Sequence, residues 1–172
     1  GNTCYFVAVG GPLSLAVSLG AALLVNSRLT RFPGLFRTAF FLPVVTTLVA
    51  VAVVWRYLYH PRYGLLNYAL SLFGIQPIDW LGDPKIAMLS VIIVAIWSGL
   101  GYRMVIFLAA LQGIPETYYE AAMIDGAGRL DLFRFITMPL LKPATLYVLI
   151  TSVIGSFQVF GLVNVLTGGG PL

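Results

Sequence analysis

Cysteine, histidine and charge are all scarce in this chain, and each scarcity excludes a class of function. The single cysteine, Cys4, rules out an internal disulfide. The single histidine, His60, leaves no histidine–cysteine metal cluster and no evident nucleophile–base pair, so neither a metal site nor catalytic residues are expected. His60 reads as an interfacial residue rather than a proton relay. Charged residues make up 9% of the 172, against about 25% in an ordinary soluble domain, which argues against a free soluble enzyme. Ten Lys or Arg and six Asp or Glu give a net charge of +4, too small a basic field to suggest nucleic-acid binding. No glycine-rich run ends in Gly-Lys-Ser or Gly-Lys-Thr, so the usual cradle for ATP phosphates is missing and no cofactor is expected.

Apolar sequence is what the chain has in abundance. Apolar and aromatic residues make up 59% of it and the mean hydropathy is +0.94. Such a balance belongs in a bilayer, where about 20 apolar residues form one helical span. An all-α, polytopic membrane protein with four visible spans is predicted. Span A covers residues 5–25, a run of 21 without a charge. Its length is that of a full span and no basic segment precedes it, which disfavours a signal peptide. Gly10, Ser14, Ser18 and Ala22 recur along it at every fourth position, which either lets a second helix approach closely or reflects simple enrichment in small residues. Span B covers 38–58, with Pro43 near its start, where the first helical amides lack partners anyway. Span C covers 86–111 and is interrupted only by Arg103; span D follows Lys142 and continues to about residue 166. The chain opens on Gly1 and stops just after three glycines, and is expected to be part of a longer subunit.

The links between spans differ in charge. Links 26–37 and 112–142 carry six Lys or Arg (Arg28, Arg31, Arg37, Arg129, Arg134, Lys142), whereas link 59–85 carries two, Arg62 and Lys85. The positive-inside rule therefore places 26–37 and 112–142 in the cytoplasm and both ends of this chain outside. In the outer link a short interfacial helix is expected over 65–73, followed by an irregular turn, with Trp55, Tyr57, Tyr59 and Trp80 forming a headgroup belt.

Link 112–142 is polar and heavily punctuated. Pro115, Glu116 and Glu120 suit the start of a short helix that continues through Ala121, Ala122 and Met123 until Gly126 and Gly128 interrupt it. A second short helix is expected over 130–136, closed by Pro139, with Asp131 and Arg134 close enough to pair. Two short helices joined at glycine and followed at once by a span suit the transmission of a push from a soluble partner.

On these residues the chain resembles the permease subunits of binding-protein-dependent ABC importers of the carbohydrate group, related to maltose, lactose and glycerol-phosphate permeases. The family signature appears as Glu120-Ala121-Ala122, then Gly126, then Ile136 and Met138-Pro139, with Met in place of the usual Leu. The stretch from Phe157 to Leu172 is also similar to the family's segment after the penultimate span. The resemblance implies a partial permease domain over 1–172, with 112–142 as a cytoplasmic coupling loop, in a multi-pass protein of a prokaryotic cell membrane. It implies a second related permease, two cytoplasmic ATPase subunits, an extracytoplasmic solute-binding protein and a sugar-like substrate. ATP hydrolysis would belong to the partners. Coupling to them is assigned to Glu120, Ala121, Ala122, Asp125, Gly126, Gly128, Arg129, Leu130, Phe133, Ile136 and Pro139, with the coupling helix around 128–135. Gly168 to Pro171 read as a flexible outer connection, or else as a contact for the binding protein.

A sugar offers hydroxyls and C–H faces, so amide and aromatic groups are sought along its path. Phe157, Gln158, Phe160 and Asn164 of span D are the candidates; in one helix Phe157, Phe160 and Asn164 would share a face. Ordinary helix packing is the competing reading. Arg103 is costly against lipid; it snorkels toward the cytoplasmic headgroups, pairs internally, or serves substrate or gating. The alternatives at the level of function are a polyol or glycerol-phosphate importer, a secondary transporter without an ATPase, and a purely structural membrane subunit.

Overall fold

Two long helices lie side by side, and the remaining helices bend around them. A computed structural model describes residues 2–27 and 33–168. Arg28, Arg31 and Gly169 to Pro171, which carried expectations above, lie outside the described residues, as do the side chains of Arg37 and Phe160. Helix α1 is Thr3–Asn26 and α5 is Ala87–Gln112; each is long and apolar enough to cross a bilayer unbroken. Between them come α2 (Pro33–Val45), α3 (Leu48–Leu58) and the short α4 (Leu65–Ser71). After α5 come α6 (Glu116–Ile124), α7 (Arg129–Leu140), α8 (Lys142–Phe157) and α9 (Phe160–Thr167). The all-α expectation holds among the described residues, and spans A and C are single helices.

Spans B and D are bent rather than single straight helices, so two helices are long enough to cross unbroken and up to four crossings result if each bent pair is one span. Helices α2 and α3 meet at 109°. Pro43 removes one helical donor, and Thr47 then starts a new helix: its Oγ1 accepts from Ala50 N at 3.4 Å and its carbonyl from Val51 N at 3.0 Å. In place of a single span D, α7 and α8 bend by 62° at Leu141, and the chain breaks again at Gln158 and Val159 before α9. Pro139 does not close a helix at 136 as expected. It lies inside α7, whose 132–137 section is π-helical, with Met138 N donating to Phe133 O.

The small-residue stripe of α1 is buried: Gly10, Ser14, Ser18 and Ala22 all face inward, and a Cβ on Gly10 would touch Ile92 of α5 at 3.6 Å. Gly101 lets α2 come closer still to α5, since a Cβ there would run into the Phe40 carbonyl and Phe41 Cα. Packing is divided into two apolar clusters. One joins Phe6, Val51, Val91, Ile92, Leu162 and Leu166; the other joins Val25, Phe107, Leu108, Leu111, Leu141 and Val148.

In link 59–85 the short helix forms as expected. Of the aromatic residues assigned to a headgroup belt, Tyr59 is buried, donates to the Ser90 carbonyl at 3.2 Å, and lies between the tilted rings of Trp55 and Trp80. Only Tyr57 of that group is broadly exposed, because α4 and the returning chain cover the others. Asn67 holds this cover in place. Its amide donates to the carbonyls of Pro61 (3.1 Å) and Ile78 (2.9 Å), and its oxygen accepts from Ile78 N (3.2 Å) and Trp80 Nε1 (2.9 Å).

Candidate functional site: a projecting hairpin and a membrane cavity

The spacing of the Glu-Ala-Ala signature has a local physical cause. Helix α6 ends with Ala127 N donating to Ala122 O at 2.9 Å and Gly126 N to Met123 O at 3.1 Å, the paired bonds of a Schellman cap. That cap requires a left-handed residue four positions after Ala122. Gly126 fills it with φ of +86°, which a side chain would resist. The next helix starts two residues later, where Asp131 accepts from Gly128 N at 3.0 Å. Asp131 is therefore a cap, not the ion-pair partner of Arg134 expected from the sequence; Arg134 lies over the ring of Phe135 instead.

One half-buried hydroxyl pair helps fix α6 on α7. The hydroxyls of Tyr119 and Thr137 lie 3.0 Å apart, and Thr137 donates onward to Leu132 O, so Tyr119 is the donor between them. Neither residue stood out in the sequence, because two hydroxyls 18 positions apart carry no periodic signal. Around this joint the apolar side chains point outward: Ile124 is 86% exposed, Leu130 76% and Phe135 64%. Charges at Arg129, Asp131 and Arg134 interleave with them, so this surface is not suited to hydrocarbon. Glu120, Ala121, Asp125, Gly128 and Pro139 are exposed as well, whereas Ala122, Phe133 and Ile136 are half-buried. The assigned coupling residues thus occupy one hairpin, most of it in solvent.

A cavity of about 350 Å³ opens between α1, α5 and α8, beside the first apolar cluster, whose Phe6, Ile92 and Leu162 line part of it. Ser14 comes from α1, Ser98, Gly99 and Arg103 from α5, and Thr151, Ser152 and Ser156 from α8. Of the four path candidates in span D, Gln158 lines it; Phe157 is 65% exposed and Asn164 is exposed outside it. The break at Gln158 and Val159 removes the continuous helical face that was to unite Phe157, Phe160 and Asn164.

Arg103 does not snorkel toward the C-terminal end of α5. Its guanidinium folds back over Gly99, one turn nearer the N-terminal end, where a Cβ on residue 99 would collide with it. Helical side chains lean in that direction by construction, and glycine leaves the room. The Gly-to-Arg spacing of four residues was the sequence signal for this geometry. An internal ion pair is equally absent among the described residues. All six carboxylates of the chain, at 79, 83, 116, 120, 125 and 131, belong to the links.

With this geometry in view, known proteins give a consistent picture. The family described as "Binding-protein-dependent transport system inner membrane component" matches residues 14–172. The trehalose/maltose transport system permease protein MalF of Thermococcus litoralis is 38% identical over 169 residues, which cover 98% of this chain and 57% of that protein. The lactose transport system permease protein LacF of Rhizobium radiobacter is 41% identical over 170 residues, covering 98% of this chain and 57% of LacF. The chain therefore spans little more than half the length of these relatives. A crystal structure of a bacterial ABC transporter involved in the import of the acidic polysaccharide alginate superposes with a TM-score of 0.83 at 23% identity, over 98% of this chain and 61% of that one; the likeness is one of fold. Together these findings show that the chain belongs to the family of multi-pass inner-membrane components of binding-protein-dependent transport systems.

Proposed function

We propose that this chain is the membrane-spanning part of an ATP-driven importer for a sugar or related solute, and that the α6–α7 hairpin is where the force of ATP hydrolysis enters. The observation that carries the reading is the hairpin itself: internally capped and hydrogen-bonded, yet with Ile124, Leu130 and Phe135 in solvent, and joined through Leu141 directly to α8. A structure that fixes its backbone and leaves its large apolar side chains uncovered suits a docking surface for a soluble partner. Two ATPase subunits are the partners proposed, with this link in the cytoplasm as the distribution of Lys and Arg favours. A second permease completes the path, and an extracytoplasmic binding protein delivers the solute. The names of the relatives, which handle trehalose, maltose and lactose, support a carbohydrate substrate.

In this mechanism the partners rock the permeases between inward-open and outward-open states. The coupling lies in contacts that differ between those states. Glu120, Ala121, Ala122, Asp125 and Gly126 supply and end the first helix of the joint. Gly128, Arg129, Leu130, Phe133, Ile136 and Pro139 belong to the second, which carries the motion into α8. A secondary transporter would leave the hairpin's apolar surface without a purpose. The test is co-purification with the ATPase subunits of the assembled importer, followed by solute uptake into liposomes. Replacing Ile124 and Leu130 together by Asp is expected to abolish capture of the ATPase and ATP-dependent uptake. Full capture and full uptake by that variant would refute the assignment.

A further inference from the structure

The cavity between α1, α5 and α8 contains a chemical imbalance that a neutral solute would not resolve. Among the described residues, two buried side-chain polar atoms have no hydrogen-bond partner, Arg103 Nε and Ser152 Oγ, and both belong to residues lining this one cavity. A guanidinium whose Nε is held away from bulk water needs an acceptor there, and an opposing charge satisfies it best. The chain offers no carboxylate for it, since all six lie in the links. The other hydroxyls around the cavity have already spent their protons on backbone carbonyls: Ser14 on Gly11 O at 2.7 Å, Ser98 on Ala95 O at 3.2 Å, Thr151 on Tyr147 O at 2.9 Å and Ser156 on Ser152 O at 2.7 Å. Their oxygens still accept. The unspent donors are therefore Arg103, the Ser152 hydroxyl and the amide of Gln158, while the acceptors are hydroxyl oxygens spread around them.

We infer that this cavity binds the anionic group of the transported solute, a saccharide bearing a carboxylate or a phosphate ester. The negative oxygens take the Arg103 and Ser152 donors, and the sugar hydroxyls donate to the serine and threonine oxygens. Gly99 makes the site possible by letting the guanidinium lie over the helix rather than beside it. This inference rests on the importer reading and adds the charge of the cargo.

The test uses the complete importer, with its binding protein, in liposomes. Three labelled probes are compared: a neutral disaccharide, its uronic acid and its phosphate ester. ATP-dependent uptake of at least one charged probe is expected to exceed that of the neutral one by roughly tenfold or more, the worth of a charge-assisted hydrogen-bond pair, and the better of the two identifies carboxylate or phosphate. Arg103→Gln is expected to erase the preference, Arg103→Lys to keep part of it, and Ser152→Ala to lower it several-fold. Gly99→Ala, which displaces the guanidinium and keeps its charge, is expected to shift the same ratio without loss of assembled complex. Arg56→Gln removes a charge elsewhere and is expected to leave the ratio alone. A wild-type importer that prefers the neutral probe would overturn the inference while leaving the importer reading intact. So would an Arg103→Gln variant that falls apart into separate permeases or loses all three uptakes alike, because the counter-charge would then come from the second permease. Absence of ATP-dependent uptake of every probe would overturn the importer reading as well.

Discussion

In the link at 59–85 a buried amide, Asn67, gathers four hydrogen bonds and draws the chain down over Tyr59 and Trp80, whereas in the link at 113–141 charged and apolar side chains alternate on the outer surface, with Ile124, Leu130 and Phe135 standing away from the rest of the molecule. Both links contain a short helix closed by a left-handed glycine, Gly74 in one and Gly126 in the other. Local chain geometry is thus alike, and both links leave large apolar side chains uncovered, Leu72 and Phe73 in one and Ile124 and Leu130 in the other. What differs is charge, since Arg129, Asp131 and Arg134 interleave with the uncovered residues of the second and none lies between Tyr63 and Ile75. A short helix whose uncovered apolar side chains have no charge among them suits the edge of a bilayer. A hairpin whose uncovered apolar side chains alternate with charges suits a soluble partner.

This contrast can be broken first at Asn67. Asn67→Ala is expected to strand two donors and two carbonyls, costing about 3 kcal/mol of stability, seen as a lower melting temperature and early proteolysis within 59–85. Gly126→Val should cost less, about 1–2 kcal/mol, because it strains one left-handed residue with open space around it. Its effect on ATP-coupled uptake is expected to be the larger one, measured beside an unchanged yield of membrane-inserted protein. Tyr119→Phe should cost about 1 kcal/mol, loosening α6 on α7, which hydrogen exchange across 116–137 would detect. Ile124→Ser touches nothing in the chain and is expected to change stability by less than about 0.5 kcal/mol while weakening ATPase capture. A variant series in which coupling fell in step with stability would erase the distinction between the two links.

Much of this was legible in the sequence. The spans formed by α1 and α5 could be read because each is a charge-free or nearly charge-free run of more than 20 residues, and the Gly126 stop because only glycine relieves that backbone. The elbow between α2 and α3 was not legible. An uncharged run looks the same whether straight or broken, and Pro43 near a helix start carries no penalty until Thr47 is seen capping a second helix. The break at Gln158 has no proline or glycine at the breaking residues. Asn67 looked like an ordinary residue of a short helix, because its partners Ile78 and Trp80 return only through tertiary folding. Arg103 was recognised as costly, but its direction required noticing the missing side chain one turn earlier.

The π-helical section of α7 has a consequence for how the hairpin is phased. Such a section amounts to one residue inserted into an ordinary helix, and each residue carries about 100° of rotation. The azimuth at which 129–131 leave the molecule is therefore offset from that of Leu141, which is buried against the second cluster. Removing a single residue from 132–137 would swing the outward ridge a quarter-turn or more while leaving the anchor seated, so the angle of engagement is encoded by residue count as much as by residue identity.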